Sequence, residues 1–452
     1  MSWQKNPNLV LISLDCVRPD SLSCYNPAAG KPGPTSPQID RLAAEGVRFT
    51  QAISQAPYTP ASHASLFTGL YPPRHGIRAM MDYRMAAGVT TLAEVARAHG
   101  YQTAAFVGAD AMSRDYGLQR GFDVYDDRFE QRVANWKLGY RRFGDEVTGQ
   151  AIDWLQAAAA ERPFLLFLHY FDAHSVPIDV AADLDSSSLG QLLARLHRGA
   201  RSAPRPYRRL VGALYRRYFR SRRCGRKYQL RQVREIDHYL GQLFDHLRAA
   251  GRYDDTVVVI TADHGDAFGE HGETGHRHFL YDTTLRVPLI LRARPQFAGR
   301  VFPHLARLVD VMPTLCDLAD IPLDPALDLD GVSLLPALSG ETPPDLNAYS
   351  ETRHERSFEE QEHLIRHFNS LRSEKWKLIW DRLDDSQQLY DLQADPGELQ
   401  DVASQHPDVV AALQAELQAV LDRAVAPERI SEALDESDRT QVEERLRALG
   451  YL

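Results

Sequence analysis

Short apolar runs that alternate with amphipathic helical stretches constrain the fold of this chain more than any other feature of its sequence. The helical stretch Pro37–Glu45 is followed by Gly46, and Thr91–His99 is followed by Gly100, as is typical of helix ends. Strands that alternate with helices imply a mostly parallel sheet with helices on both faces. The predicted fold class is therefore α/β, with interior strands at Leu9–Leu14, Thr103–Val107, Phe164–Leu168, Val257–Ile260 and Pro288–Leu291.

The length of the chain, 452 residues, exceeds what one hydrophobic core usually supports, so we expect a large unit and a smaller one. Residues 1–340 are assigned to the large α/β domain, with a basic helical insertion at about 180–234. Residues 341–452 are assigned to a C-terminal subdomain. A predicted hairpin of Leu371–Trp380 with Gln388–Leu392 makes its sheet antiparallel, and the tail Arg439–Leu452 has the pattern of an amphipathic helix.

The composition is that of an ordinary globular enzyme, with 44% apolar and 25% charged residues and a formal net charge of −9. Four scattered cysteines form no CxxC pair, which favours free thiols in a reducing compartment. The apolar run Leu9–Leu14 is too short for a signal peptide, and no window approaches the roughly 18 apolar residues of a membrane span. We therefore expect a cytoplasmic protein.

The stretch Ala56–Gly76, APYTPASHASLFTGLYPPRHG, contains the candidate nucleophile. Pro60 suits the first position of a helix that Gly69 would end, so Thr59 is predicted to be the N-cap. A hydroxyl there lies beside unpaired backbone N–H groups and the positive end of the helix dipole, which suits a tetrahedral anion. His63, one turn further along, could reach the same place. A plain helix cap is the alternative interpretation of these residues.

A second group of polar residues follows the strand Val257–Ile260, in the segment TADHGDAFGEHG. Asp263 and His264 are adjacent in this segment, and Asp15 follows the first strand. Because ligands gather at the carboxyl ends of parallel strands, we predict that these three side chains and the Thr59 hydroxyl form an O3N site for a divalent cation. A bound cation would lower the pKa of the hydroxyl and balance charge in the transition state.

Together these motifs resemble those of the sulfatase family, in the alkaline-phosphatase superfamily. The segment Ala64–Gly69, ASLFTG, is similar to the end of the sulfatase signature, in which Cys or Ser, then x-Pro-Ser-Arg, precedes Ala-Ser-Leu-Leu-Thr-Gly. When the two sequences are aligned on this segment, Thr59 stands where the family carries the residue that becomes formylglycine, and His63 stands where the family carries Arg. The upstream segments LVLISLDCVRPDSLSCYN and SPQIDRLAAEGVRFTQA resemble the family's opening strand, metal loop and first helix. The resemblance covers nearly the whole chain.

The resemblance implies roles for further polar residues. FLHYFDAH is similar to the family strand that ends in Asp-Pro-His, so His174 would contact the transferring group, and Asp172 would orient it or bind a second metal. The segment GHRHFLY is similar to the loop in which a Lys or His contacts the leaving-group oxygen. The spacing does not decide which of His276 and His278 plays this part. His276 is preferred, and a histidine there could protonate the departing alkoxide near neutral pH. Arg277 is a further candidate contact for the anion.

Thr59 departs from the family pattern in a way that bears on the chemistry. A threonine cannot become formylglycine, so no formylglycine is expected, and family members with Thr in this place attack phosphorus directly. We therefore predict hydrolysis of a phosphate ester (mono- or diester) or a sulfate ester, with the phosphate ester preferred, through a covalent intermediate on Thr59, which water activated by His63 or a neighbour releases. A true sulfuric ester hydrolase and a phospho-group transferase are the alternatives.

Three other positions have less specific consequences for the function. Cys16 stands where the family often has a second acidic residue, so the cation could be Ca, Mg, Mn or Zn. His169 is interpreted as a buried strand residue, and Arg18 as either an anion contact or a salt-bridge partner.

The insertion is strongly basic, since Arg195–Arg234 contains 15 Arg or Lys residues and no Asp or Glu. Aromatic residues interleave with the arginines, which suits peripheral contact with a membrane surface or another polyanion rather than nucleic acid. The other expected partner is the anionic ester substrate. The rival hypothesis is a catalytically inactive scaffold that binds anions through this insertion. The presence of four candidate site residues argues against it: Asp15, Thr59, Asp263 and His264.

Overall fold

The computed structural model describes residues 6–30, 33–79, 83–129, 141–159, 161–174, 222–354 and 366–430, with six further residues between 175 and 221. The strands of these ranges are, in chain order, β1 (Asn8–Leu14), β2 (Val47–Ile53), β3 (Tyr83–Arg84), β4 (Gln102–Val107), β5 (Val124–Asp126), β6 (Phe164–Tyr170), β7 (Thr256–Thr261), β8 (Ala267–Phe268), β9 (Thr274–Gly275), β10 (Arg286–Arg292), β11 (Arg300–Arg307), β12 (Ala348–His354), β13 (Arg366–Arg372), β14 (Trp376–Asp381), β15 (Gln387–Asp391) and β16 (Glu428–Arg429). The α-helices are α1 (Pro37–Ala44), α2 (Thr59–Thr68), α3 (Pro72–His75), α4 (Leu92–Ala98), α5 (Gly144–Ala157), α6 (Arg222–Ala249), α7 (Asp282–Leu285), α8 (Val311–Leu318), α9 (Leu335–Leu338) and α10 (Pro407–Leu421).

Eight strands form the central sheet, in the order β11–β2–β10–β7–β1–β6–β4–β5. Neighbouring strands are parallel except at β10, which is antiparallel to both β2 and β7. Every residue of β6 and β7 is buried, and since successive side chains of a strand point to opposite faces, both faces of the sheet centre are covered. The predicted fold class is confirmed.

The register of the three central strands sets the position of the site. Ser13 of β1 pairs with His169 of β6 on one side and with Thr261 of β7 on the other. The carboxyl ends of the three strands are therefore level at one edge of the sheet. Asp15 lies two residues after Ser13, just beyond the end of β1. Asp263 lies two residues after Thr261, just beyond the end of β7. Polar side chains from distant parts of the sequence meet at this edge as a result.

A separate antiparallel sheet of four strands, β12–β13–β14–β15, lies in the C-terminal part of the chain. Helix α10 packs on it, in a cluster that includes Leu371, Leu378 and Leu417. The pairing of Trp376–Asp381 with Gln387–Asp391 confirms one half of the predicted hairpin. The other half needs a correction, because Leu371–Trp380 is two strands rather than one. A tight turn separates them: the backbone N–H of Ser373 donates to the Trp376 carbonyl at 2.8 Å.

Several predictions concern segments beyond this description. The predicted tail helix Arg439–Leu452 lies outside the described residues, as does most of the basic insertion. The boundary between residues 340 and 341 stays a prediction. Among the described residues, no helix combines the length and the apolar character that crossing a membrane requires.

Helix α6 contains the end of the basic segment and supports the loop after β1. Arg226 pairs with the Asp20 carboxylate at 2.6 Å, and Arg234 donates to the Gly30 carbonyl at 3.1 Å. The amide of Gln229 donates to the Cys16 carbonyl at 2.8 Å. At least two arginines of the basic segment therefore hold the fold together beside the candidate site.

Candidate active site

Helix α2 presents the candidate nucleophile at its first residue. All ten residues of the helix, Thr59–Thr68, are buried, and Gly69 ends it in the left-handed conformation with a φ of 67°. Tyr58 is the N-cap, so the prediction that Thr59 caps the helix is wrong by one position. Thr59 still lies at the positive end of the helix dipole, as the prediction required.

Asp15 contacts the candidate nucleophile directly. The Thr59 hydroxyl donates to Oδ2 of Asp15 at 3.2 Å, and Nε2 of His169 lies 3.1 Å from the same oxygen. Burial disfavours the Asp15 carboxylate, but its hydrogen bond with His169 and the nearby charges of His174 and His264 outweigh that effect. The pKa of Asp15 is held well below its usual range. Asp15 is therefore an ionised carboxylate beside the Thr59 hydroxyl.

The adjacent residues Asp263 and His264 complete the cluster around Thr59. Nε2 of His264 lies 3.5 Å from the Thr59 hydroxyl and 3.3 Å from Oδ2 of Asp263. The backbone N–H groups of Cys16 and His264 donate to Oδ1 of Asp263, at 3.3 and 2.9 Å. Burial and the charge of Asp15 raise the pKa of Asp263. The structure thus brings together all four residues of the predicted cation site.

Two buried carboxylate oxygens in this cluster have no hydrogen-bond partner among the described residues: Oδ1 of Asp15 and Oδ2 of Asp263. An unpaired buried carboxylate oxygen is costly, and its usual compensation is a cation. Ligand atoms of Asp15, Asp263 and His264 lie within 4.8 Å of one another, which is close enough for one ion. These residues therefore fit the divalent cation that the sulfatase resemblance implies.

His63 lies beneath the nucleophile and has a partner at each ring nitrogen. Nδ1 lies 2.8 Å from the Thr59 carbonyl, and Nε2 lies 2.9 Å from the Ser13 hydroxyl. Burial lowers the pKa of His63 to about 3, so the ring is neutral. This geometry favours a positioning role, in which His63 ties the first turn of α2 to strand β1. Its predicted role in activating water stays a prediction.

His174 and His276 lie on the other side of the cluster. Their rings meet edge to face, with centroids 5.1 Å apart, and His276 also packs against His264 at 4.3 Å. Nδ1 of His276 lies 3.1 Å from Oδ1 of Asp266, while its Nε2 has no hydrogen-bond partner among the described residues. Burial lowers the pKa of His276 well below its usual range. His276 thus lies in the cluster, and its preference over His278 stays a prediction.

The remaining candidates lie at the edges of this cluster. Asp172 accepts a hydrogen bond from the backbone N–H of Gly144 at 3.0 Å, and burial raises its pKa to about 6. Arg18 forms salt bridges with Asp20 and Glu270, at 3.1 and 3.0 Å, so the salt-bridge interpretation of Arg18 is the one that the structure supports.

Sequence reasoning missed three residues of the cluster. His169 is a buried strand residue, as predicted, but its contact with Asp15 was not predicted. Cys16 was treated as the loss of a ligand, yet its Sγ lies 3.5 Å from Nδ1 of His276. Asp266 was not singled out, although it contacts His276 within the same TADHGD segment. The one available signal was proximity, since each of the three lies within four residues of a predicted site residue.

Comparison with known families identifies the class to which this fold and cluster belong. The Sulfatase family model matches residues 7–321, and the model of the N-sulphoglucosamine sulphohydrolase C-terminal region matches residues 269–426. The first match spans more than half of the chain and contains every residue of the cluster. The chain belongs to the sulfatase family and is an ester hydrolase of that family.

Individual relatives agree with this assignment. The chain is 27% identical over 452 residues to arylsulfatase K of Rattus norvegicus, across 92% of this chain and 78% of the relative. It is 25% identical to an N-acetylglucosamine-6-O-sulfatase of Bacteroides thetaiotaomicron, across 88% of this chain and 83% of that protein. These relatives support the alternative prediction, a sulfuric ester hydrolase, better than the main prediction of a phosphate ester substrate.

Solved structures show the same fold. One is a protein in complex with its substrate D-glucosamine-2-N,6-O-disulfate, with a TM-score of 0.69 and 23% identity over 93% of this chain and 98% of that one. Another is the phosphonate monoester hydrolase of Agrobacterium radiobacter, with a TM-score of 0.66 and 21% identity over 93% of this chain and 96% of that one. At these identities the likeness establishes the architecture alone.

Proposed function

We propose that this protein hydrolyses a sulfate ester of a sugar, with the Thr59 hydroxyl as the nucleophile. The observation that carries the proposal is the meeting of this hydroxyl with the Asp15 carboxylate and the His264 ring at the carboxyl edge of the sheet. Both curated relatives described above are sulfatases, and one is named for a sulfated amino sugar. A sulfated sugar is therefore the substrate class with the most support.

The residues around Thr59 are arranged for attack by its oxygen. Asp15 accepts the hydroxyl hydrogen bond and so orients Oγ1. In the proposed reaction Oγ1 attacks sulfur and the Thr59 hydroxyl loses its proton to water, the bond from sulfur to the sugar oxygen breaks and that oxygen takes up a proton, and a sulfated Thr59 forms. Water then attacks sulfur and loses a proton, the bond to Oγ1 breaks and Oγ1 is protonated again, and sulfate is released. A divalent cation held by Asp15, Asp263 and His264 would supply positive charge that lowers the pKa of the hydroxyl.

The imidazoles on the other side of the cluster complete the proposed mechanism. Nε2 of His276 is free of partners among the described residues, so it is available to the leaving oxygen. His174 packs edge to face against His276 and would contact the transferring group. His63 is assigned to positioning, because its two nitrogens already contact Thr59 and Ser13.

A second candidate function, hydrolysis of a phosphate monoester or diester, is favoured by Thr59 itself. A threonine has one hydroxyl and cannot form the hydrated aldehyde through which formylglycine expels sulfate. A sulfated threonine must be cleaved by water at sulfur, whereas a phosphorylated hydroxyl is a common enzyme intermediate. The same Thr59, Asp15 and His264 geometry would serve either ester.

A matched panel of substrates tests the two candidates. The purified chain would be assayed with nitrophenyl sulfate, glucosamine 6-sulfate, nitrophenyl phosphate and bis-nitrophenyl phosphate, each with Ca²⁺, Mg²⁺, Mn²⁺ or Zn²⁺. The proposal expects sulfate release with a kcat/KM above that for either phosphate. A higher kcat/KM for a phosphate would replace it with the second candidate. Added acceptor alcohols would reveal transfer as a change in product.

Mass spectrometry provides a further readout that does not depend on turnover rate. Rapid acid quench during turnover should trap a sulfo or phospho group on the peptide that contains Thr59. The same digest would show whether any residue has been converted to formylglycine. Turnover without modification of this peptide, together with full activity of Thr59→Ala, would overturn the nucleophile assignment.

A further inference from the structure

The loop that carries His276 is attached to the C-terminal sheet along its length. This loop, residues 276–281, runs from the end of β9 to the start of α7. Together with the first residue of α7 it contacts all four strands of the sheet, through Thr352 of β12, Phe368 of β13, Lys377 of β14 and Tyr390 of β15. A functional side chain on a loop needs support of this kind if it is to be held in one place.

Aromatic side chains hold the middle of the loop. The ring centroids of Phe279 and Phe368 are 5.8 Å apart, and those of Tyr281 and Tyr390 are 6.0 Å apart. Leu280, between the two loop aromatics, is fully buried in a cluster that includes Tyr390. Aromatic pairs at such distances contribute to stability beyond the area that they bury, so the middle of the loop is packed firmly on the sheet.

A buried ion-pair network fixes the far end of the loop. Nζ of Lys377 lies 2.9 Å from Oδ1 of Asp282 and 2.7 Å from Oε1 of Glu398. The backbone N–H of Asp282 donates to Oε2 of Glu398 at 2.7 Å. Burial opposes the ionisation of Asp282, but the positive charges of Lys377 and Arg372 outweigh it, so the pKa of Asp282 is lowered. Because loss of one partner would leave a buried charge unpaired, α7 is held firmly at its first residue.

The near end of the loop is held by a hydroxyl. Oγ1 of the buried Thr352 donates to the backbone carbonyl of Arg277, the residue directly after His276. Arg277 has a φ of 99°, a conformation that residues with a side chain adopt only where their surroundings impose it. The hydrogen bond from Thr352 therefore holds a strained turn, and that turn sets the direction of the His276 ring.

We propose that Thr352 is a positioning residue for His276, and that the C-terminal sheet acts through it to set the ring against the leaving oxygen of the ester. The inference rests on the proposed function, which gives Nε2 of His276 that contact. Nδ1 of His276 lies 3.1 Å from Oδ1 of Asp266, which fixes the rotation of the ring, while Thr352 fixes the backbone that carries it. Thr352 acts through the Arg277 carbonyl and is not itself a catalytic residue.

The choice of leaving group separates the positioning of His276 from a merely structural role. A sugar alkoxide leaves slowly unless a group on the enzyme donates a proton to it, whereas nitrophenolate leaves without one. Misplacement of the His276 ring should therefore slow the hydrolysis of glucosamine 6-sulfate and spare that of nitrophenyl sulfate. A loosened enzyme would lose the same factor with both esters. If phosphate esters are the better substrates, glucosamine 6-phosphate and nitrophenyl phosphate take their places.

Thr352→Val removes the hydroxyl and keeps the shape of the side chain. Its kcat for the sugar ester should fall by about 10–100-fold with KM little changed. Its kcat for the nitrophenyl ester should stay within about threefold of the wild-type value. Thr352→Ser keeps a hydroxyl and should recover most of the lost kcat. The matched control Thr103→Val removes another buried strand hydroxyl, which donates to the Gly121 carbonyl at 2.8 Å, and should spare both esters.

A double variant tests whether Thr352 acts through the histidine. His276→Ala should itself slow the sugar ester far more than the nitrophenyl ester. Once the ring is gone, Thr352→Val should add no further loss on the sugar ester, because two residues that act as one unit are not additive.

The crystal structure of Thr352→Val provides a readout that needs no substrate. In that variant the φ of Arg277 should leave the left-handed region. The His276 ring should also move from its place beside His264, where the two ring centroids are 4.3 Å apart. Thr103→Val should leave both features unchanged.

The outcomes separate this inference from the proposed function. The inference is overturned if the His276 ring stays in place in Thr352→Val or if the two esters lose kcat by the same factor. It is also overturned if the losses of Thr352→Val and His276→Ala multiply in the double variant. If the wild-type chain hydrolyses no ester, the proposed function fails, and the position of the ring in the crystal structures alone decides this inference.

Discussion

The hydroxyl of Thr59 lies 3.2 Å from Oδ2 of Asp15, although 44 positions separate the two residues in the sequence. The contact joins the first turn of α2 to the end of β1. It places a neutral hydroxyl against an ionised carboxylate, and both side chains are fully buried. The mechanism depends on this contact, so substitutions at either end test it.

Removal of the Thr59 hydroxyl should abolish the reaction while leaving the fold intact. Thr59→Ala is expected to lower kcat/KM by at least about a thousandfold, because no other described hydroxyl contacts Asp15. Thr59→Ser keeps a hydroxyl at the same place and should retain activity within about tenfold. Steady-state kinetics on the best ester of the panel, with thermal unfolding as the folding control, checks both. Equal losses in the two variants would contradict the assignment.

His169 should tune the cation affinity of Asp15 without being a ligand itself. Its Nε2 lies 3.1 Å from the carboxylate oxygen that also accepts from Thr59. His169→Ala removes that partner, so the pKa of Asp15 should rise and metal affinity should fall by about 10–100-fold. Calorimetric titration with the preferred metal measures this change.

His169→Gln provides the control, since a glutamine amide can donate to the same oxygen. Its metal affinity should lie closer to that of the wild-type chain. An unchanged affinity in His169→Ala would show that the contact only packs the strand end.

The strand ends explain why much of the site could be predicted from the sequence. Asp15 follows one apolar run directly and Asp263 follows another after two residues, and parallel strands bring their carboxyl ends to one edge. The central sheet was predictable as well, because the sequences of buried parallel strands are continuous apolar runs. The turn at Ser373 was not predicted, because the apolar residues before and after it were assigned to one strand, Leu371–Trp380.

Other contacts depend on geometry that no local pattern encodes. The ring of His169 lies within a buried strand, where a histidine of the core and a partner of Asp15 look alike. The left-handed conformation of Cys16 turns its thiol toward His276, and a non-glycine residue gives no sign of a positive φ. Such positions are set by tertiary packing rather than by residue type.

His63 should act by holding the nucleophile in place rather than by moving a proton. His63→Ala leaves the Ser13 hydroxyl without its buried partner, so stability should fall by about 1–3 kcal/mol. Activity should fall as well, since the first turn of α2 loses its contact with β1. The limbs of the pH–activity profile should stay where they are in the wild-type enzyme, because burial already lowers the pKa of His63 to about 3.

The conservative variant His63→Asn distinguishes this role from activation of water. An asparagine amide can still donate to the Thr59 carbonyl, so His63→Asn should recover part of the lost kcat. If both variants instead lose the same limb of the profile, His63 is the group that titrates in the reaction and the positioning role is wrong.

The buried carboxyl groups predict how pH and metal together control stability. Burial raises the pKa of Asp266 to about 7 and that of Asp172 to about 6. An unfolded Asp has a pKa of about 3.9, so between about pH 4 and 7 these two carboxyl groups bind more protons in the folded chain than in the unfolded chain. Their contribution to the free energy of unfolding of the metal-free protein should therefore decrease as pH rises through this window, while the lowered pKa of His63 contributes in the opposite direction.

A divalent cation should reverse that trend. It competes with protons for Asp263, whose pKa burial also raises, and its positive charge favours the ionised form of the neighbouring Asp266. Added metal should therefore raise the unfolding temperature more at pH 7.5 than at pH 5, by a difference on the order of 2 °C. Thermal scans with chelator and with saturating metal at the two pH values measure it. Asp263→Asn should remove most of the metal effect at both pH values, and a metal effect that is larger at pH 5 would contradict the linkage.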